Sequence, residues 1–176
     1  GVEQCDDANA VDNDACNNAC KFNKYTAVGP QLNVPAANLT GWTICHKSPF
    51  STSTALATIL SACNKPNLML ACRQVNAANF TLLAHAPRVD VIKDTGQTNT
   101  PTVSNGSGWY YNASWSWGFA KQGDPITRSS CDTNNTNPTL RMCIHTSGSN
   151  ITSGYRCGST TLNGNASWER VILHAD

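Results

Sequence analysis

Between Gly108 and Ala120 the chain reads Gly-Trp-Tyr-Tyr-Asn-Ala-Ser-Trp-Ser-Trp-Gly-Phe-Ala, and no other stretch constrains the fold so tightly. Its odd positions are Trp109, Tyr111, Ala113, Trp115, Trp117 and Phe119; its even positions include Asn112, Ser114, Ser116 and Gly118. Alternation with a period of two marks a strand with one buried face. The stretch therefore predicts a core strand that turns three tryptophans inward. On the other face, Asn112-Ala113-Ser114 is an acceptor pattern for an N-linked sugar, which demands exposure. Tyr110 shares that face and is expected to point outward.

The rest of the segment 42–176 repeats the theme. Leu68 to Arg73 is a buried-type run, and Phe80, Leu82, Ala84 and Ala86 alternate with Thr81, Leu83 and His85. After Pro87, Arg88 to Lys93 reads as a resumed strand, and residues 95–108 read as a polar loop. Leu140 to Thr146, Tyr155 to Cys157 and Trp168 to His174 supply further strands. One helix interrupts them: Leu56, Ile59, Leu60 and Cys63 fall at helical spacing, with Ser53 or Thr54 as N-cap and Asn64-Lys65-Pro66 as terminator. Short strands, frequent turn signals and one short helix predict a mainly β chain, a β-sandwich or jelly-roll-like body.

Seven Asn-x-Ser/Thr patterns occur, at Asn38, Asn79, Asn105, Asn112, Asn134, Asn150 and Asn165. Nine cysteines accompany them: Cys5, Cys16, Cys20, Cys45, Cys63, Cys72, Cys131, Cys143 and Cys157. None forms a Cys-x-x-Cys pair, and no metal-type partner follows Cys16-x-x-x-Cys20, so disulfides in an oxidising compartment are the better reading. The six from Cys45 onward can close among themselves in any of 15 ways. Three in the head cannot all pair with one another, which leaves one free or bonded to another chain. Together these features predict an extracellular or cell-surface glycoprotein. No initiator Met, signal peptide or long apolar run is present, so the chain reads as a mature or excised piece with no membrane insertion.

Charge is sparse and unevenly placed. Residues 1–20 carry Glu3, Asp6, Asp7, Asp12 and Asp14 and no basic residue, for a balance of −5; the remainder balances at +6, and the whole at +1. No cluster of Lys or Arg marks a nucleic-acid surface. The acidic head could attract a basic body, in its own chain or in another.

The head, residues 1–23, has no hydrophobic period and requires staples to hold a shape. Glu3-Gln4-Cys5-Asp6-Asp7-Ala8-Asn9, then Asp12-Asn13-Asp14-Ala15-Cys16 and Cys20, resembles the myxobacterial-type cysteine-rich repeat of secreted and surface proteins. Ala8, Asn13 and Ala15 stand where that family has glycines, and its leading Cys-Gly-Asp-Gly half is absent. The body also resembles a secreted domain associated with such repeats, through Gly-Trp-Thr-x-Cys at 41–45, Ala-Pro-Arg-Val-Asp-Val at 86–91, the aromatic strand and Trp-Glu-Arg-Val-Ile at 168–172. That resemblance implies an extracellular module and nothing about an activity.

Asp6, Asp7, Asn9, Asp12 and Asp14 are closely spaced hard oxygen ligands, the set calcium prefers. The bland alternative is an Asx-turn loop that caps its own backbone. Residues 24–41, with two prolines and two glycines, read as an extended linker or edge strand able to dock on the body or reach a neighbour.

No nucleophile elbow or His-Glu-x-x-His pattern appears. His46, His85, His145 and His174 are scattered. Carboxylate pairs for glycoside hydrolysis could be drawn from Asp90, Asp94, Asp124, Asp132 and Glu169, though turn formation explains those aspartates more simply. Arg88 with Asp90, or Glu169 with Arg170, are candidate ion pairs. The reading is thus a non-enzymatic extracellular module with a structural or adhesive role, partnered by copies of itself or other extracellular proteins. It would form a subunit of a surface fibril or matrix whose arm contacts a neighbour. The alternatives are a calcium-assisted lectin, with Tyr110 stacking on a sugar ring, and a glycoside hydrolase.

Overall fold

The computed structural model describes residues 16–17, 21–128 and 131–176. The head's calcium candidates Asp6, Asp7, Asn9, Asp12 and Asp14, and Cys5 and Cys20, lie outside them. In the head only a short ladder is described, β1 (Cys16–Asn17) with β2 (Lys21–Phe22).

The body is the expected β-sandwich. One sheet runs in the order β3 (Gln31–Pro35), β7 (Asn79–Pro87), β6 (Asn67–Gln74), β14 (Trp168–Ala175), β4 (Thr43–Pro49). The other runs β13 (Thr160–Thr161), β12 (Asn150–Cys157), β11 (Met142–Ser147), β10 (Ser116–Lys121), β9 (Ser107–Tyr111), β8 (Thr102–Ser104), with β5 (Thr54–Ala55) also on β12. Neighbouring strands are antiparallel throughout both sheets. Leu68, Leu70, Leu82, Ala84, Trp109, Trp117, Phe119, Met142, Ile144 and Ile172 belong to the main core, all buried. The Cys72–Cys157 disulfide ties β6 of the first sheet to β12 of the second.

The aromatic stretch is a hairpin and not one strand. β9 and β10 pair with Tyr111 opposite Trp117 and Trp109 opposite Phe119, and residues 112–115 make the turn. Alternation survives the reversal because each pair has two odd-numbered members, so the same face stays inward on both arms. Thirteen residues would also exceed the usual length of a strand.

Neither sheet presents a solvated face over its centre. Met69, Ala71, Leu83, Val171 and Leu173 form a second core on the outside of the five-stranded sheet, sealed by Val34, Leu39 and Trp42. Tyr110, Ala120 and Cys143 face outward from the other sheet and are covered by the loop that carries Ile126 and Cys131. Cover on both faces explains why Leu68 to Cys72 is a continuous apolar run.

Three local expectations change. The helix α1 (Leu56–Ala62) starts at Ala55 without a side-chain cap, because β5 ties Thr54 to Ile151 and the carbonyl of Ser149 accepts the Leu56 N–H. Residues 88–93 do not resume a strand; Pro87 leads into the one-turn helix α2 (Arg88–Val91). The polar stretch 95–108 contains β8.

Candidate functional site

The most developed constellation is the seat of the segment 23–42 on the body. β3 adds to the edge of β7, with Val34 opposite Phe80 and Leu32 opposite Leu82. Before it, residues 23–30 cross the sheet's outer face. The Trp42 indole N–H donates to the Tyr25 carbonyl at 2.8 Å, and the Thr40 hydroxyl to the Asn23 carbonyl at 2.5 Å. His85 lies beneath, between the rings of Trp42 (5.1 Å) and Tyr25 (6.5 Å). Its Nε2 accepts the Ala27 N–H at 3.0 Å, which requires an unprotonated nitrogen there. Burial, then the nearby Lys24 charge, hold the His85 pKa below the ordinary histidine value.

Asn105 completes the seat from the second sheet. Its carboxamide Nδ2 donates to the carbonyls of Ala27 and His85, both at 2.9 Å, and the Asn105 main-chain carbonyl accepts the Gly29 N–H at 2.9 Å. Asn105 has φ 45°, a left-handed conformation that Asn tolerates better than most residues. Gly106 follows at φ 71°, and a Cβ there would come within 2.7 Å of Gly29 N, so the two segments meet backbone to backbone. Beside this crossing lies an open groove of about 510 Å³ between Val28–Pro30 and Gly106, Lys121, Gln122 and Leu140.

The arginines are the fold's fasteners, and their partners differ from those expected. Arg88 does not pair with Asp90; it donates to the Leu60 and Cys63 carbonyls at the end of α1, while Asp90 accepts from Ser104. Glu169 pairs with Arg73 at 2.7 Å and not with Arg170. Arg170 is fully buried with no carboxylate, bound to Ser48 Oγ and to the carbonyls of Thr52, Thr152 and Gly154. Burial lowers its pKa to about 10, so it stays charged at neutral pH. Arg128 is similar: it binds Ser116, Thr95, Gly96 and Thr98 and lies over the rings of Tyr110 and Trp115 at 5.1 and 5.2 Å. Each guanidinium gathers main-chain carbonyls from separate segments of the chain, which suits its fixed fork of donors.

Tyr110 does not point outward to solvent. It is fully buried, its hydroxyl donates to the Met142 carbonyl at 3.1 Å, and burial raises its pKa well above the ordinary phenol value. It offers no ring to a sugar. Trp109 and Trp117 lie in the core as expected, while Trp115 is half-buried.

The carboxylates considered for hydrolysis are dispersed among structural tasks. Asp94 accepts from Gly96 and Asn112, Asp124 from Asn137, and Asp132 from Arg141. His46 touches Ser48 and His145 stacks on Tyr155. Among the described residues no group of three or more His, Cys, Asp or Glu side chains could hold a metal ion, and no helix is long and apolar enough to cross a membrane.

The six body cysteines pair among themselves, as Cys45–Cys63, Cys72–Cys157 and Cys131–Cys143. The sequons are spread along the chain: Asn38 in a 3-10 turn, Asn79 at the start of β7, Asn112 in the hairpin turn and Asn150 at the start of β12. Asn134 and Asn165 lie in loops. At Asn112, Asn134 and Asn165 the side-chain carbonyl accepts the N–H two residues on, at 3.0, 2.8 and 2.8 Å. Comparison with family models, curated proteins and solved structures finds no match to this chain. Sequence patterning allowed residues 24–41 to dock as an edge strand, as β3 does, but missed the parts of His85 and Asn105, because hydrogen bonds between main-chain groups and a lone His or Asn have no period to find.

Proposed function

We propose that this chain is an extracellular glycoprotein module with a structural or adhesive role, a subunit that assembles with copies of itself into a fibril or matrix. The observation that carries the reading is the mode in which residues 23–42 are held. Among the described strands β3 is an edge strand that pairs with β7 alone, and the rest of the segment lies over the outer face as a strip. A strip held by strand addition can equally be supplied by a neighbouring copy, by exchange of identical segments. The acidic head would then be carried onto a body with excess basic charge, and an unpaired head cysteine could join two chains covalently. Three body disulfides, and sequons mostly at turns and strand ends, fit an oxidising, extracellular setting.

Calcium bound by Asp6, Asp7, Asn9, Asp12 and Asp14 would stiffen the head in this scheme. The lectin alternative loses its sugar-stacking residue with the burial of Tyr110. Sedimentation and electron microscopy of the purified glycoprotein, with calcium and with a chelator, test the proposal. Concentration-dependent oligomers or filaments are expected, with a disulfide-linked dimer on non-reducing gels. A monomer under every condition would refute it.

A further inference from the structure

Seven sequons are candidates for sugar, but Asn105 differs from the other six in what its carboxamide does. N-glycosylation replaces one Nδ2 hydrogen with the C1 carbon of a sugar. At Asn105 both hydrogens are committed, one to the Ala27 carbonyl and one to the His85 carbonyl, each at 2.9 Å in a part-buried setting. A sugar on that nitrogen would stand where either Ala27 or the β7 backbone lies. The third residue of the sequon is sealed as well: Ser107 is fully buried and its hydroxyl has no partner.

The other sequons contrast with this. Asn38 is exposed. Asn79 and Asn150 each use a single solvent-exposed amide bond, to Asn33 and to Gly148. Asn112 likewise donates one exposed bond to Asp94, and at Asn112, Asn134 and Asn165 the side-chain carbonyl is the atom engaged locally.

We propose that Asn105 is an unmodified latch: its carboxamide clamps the segment 23–30 to the body, and it carries no glycan in the folded chain. Sugar attachment at Asn105 and docking of this segment exclude one another. The seat therefore sets the glycan pattern, leaving the face crossed by residues 23–30 bare while sugars occupy the turns. This inference rests on the docked segment alone and holds whether or not the chain assembles.

Two measurements on the intact secreted glycoprotein test it. Enzymatic release of N-glycans in heavy-oxygen water converts each occupied Asn into labelled Asp. The Asn105 peptide is expected to be unlabelled, and label there would overturn the proposal. Hydrogen exchange then reads the latch. Asn105→Gly removes the carboxamide while keeping a residue suited to positive φ, and should speed exchange at Ala27 and Gly29 by roughly tenfold or more. Ser107→Ala destroys the sequon but keeps the carboxamide, and should change neither exchange nor glycan content. Unchanged exchange in Asn105→Gly would overturn the latch. Should that variant fold poorly, the near-isosteric Asn105→Asp makes the same test, since it removes both donors.

Discussion

Nη1 of Arg141 lies 2.9 and 2.7 Å from the two carboxylate oxygens of Asp132, and both side chains are fully buried. The pair is the hub of the loop that covers the seven-stranded sheet. Arg141 also donates to the Thr136 and Pro125 carbonyls, and Arg156 donates to the Asp132 carbonyl at 2.7 Å.

Removing one partner of a buried pair strands the other charge, and typically costs about 3–5 kcal/mol. Asp132→Asn should therefore lower stability by about 3 kcal/mol, with Arg141→Met similar or worse. Urea unfolding of oxidised protein measures this as a lower midpoint at an unchanged slope. A loss under about 1 kcal/mol would mean that the main-chain carbonyls alone anchor the loop.

The Cys72–Cys157 bridge spans 85 residues and joins the two sheets. Loop-closure entropy assigns a bridge of that span about 4.5 kcal/mol, against about 3 kcal/mol for the bridges spanning 18 and 12 residues. The double variant Cys72→Ala/Cys157→Ala should thus be the most damaging of the three disulfide deletions. Ranking the three double variants by thermal midpoint checks it. Equal losses would show that local packing, and not chain entropy, decides what each bridge contributes.

Much of this fold was legible because burial leaves a period. Leu68 to Cys72 announced a buried strand, and the odd-numbered aromatics announced their face even though the chain reverses between Tyr111 and Trp117. The misplacement of Tyr110 and of the arginine partners shares one cause. Tyr110 looked exposed because the element that buries it is an Asn- and Thr-rich loop with almost no apolar residues. That loop is held by Arg128, Arg141 and Arg156, whose partners are mostly main-chain carbonyls. Main-chain carbonyls are identical at every position, so no spacing of side chains reveals which loop an arginine will hold. The same argument covers Asn105: a sequon states what an enzyme could recognise, and only the packing shows that its nitrogen is already engaged.

Gly118 sits on β10 with no room for a side chain. A Cβ there would lie 2.1 Å from the Met142 carbonyl oxygen and 2.8 Å from the Tyr110 hydroxyl. The first contact is with a paired strand, so it cannot be relieved by a rotamer change. Gly118→Ala should destabilise the body by about 3 kcal/mol or more, whereas Tyr110→Phe should cost only about 1 kcal/mol for the lost hydrogen bond. Comparing the two unfolding midpoints tests the order. If Gly118→Ala proved the milder, the close approach of β10 to β11 would have to be adjustable.

Docking of residues 23–30 should weaken in acid. His85 accepts the Ala27 N–H through Nε2, and that bond exists only while Nε2 is unprotonated. Its pKa is lowered in the docked state by burial and by Lys24, so the undocked segment leaves His85 the better base. The undocked state therefore binds more protons, and docking free energy rises with pH. The contribution is full above the free histidine value of about 6.5 and declines as pH falls below it, until the docked His85 itself protonates. The nearby Lys24 charge adds repulsion to the imidazolium. Hydrogen exchange at Ala27 and Gly29, corrected for the intrinsic effect of pH, should reveal faster opening at pH 5 than at pH 7.5. His85→Gln offers an uncharged acceptor and should flatten the profile. His46, His145 and His174 also have lowered values and face other parts of the body, so a profile that persists in His85→Gln would transfer the effect to them.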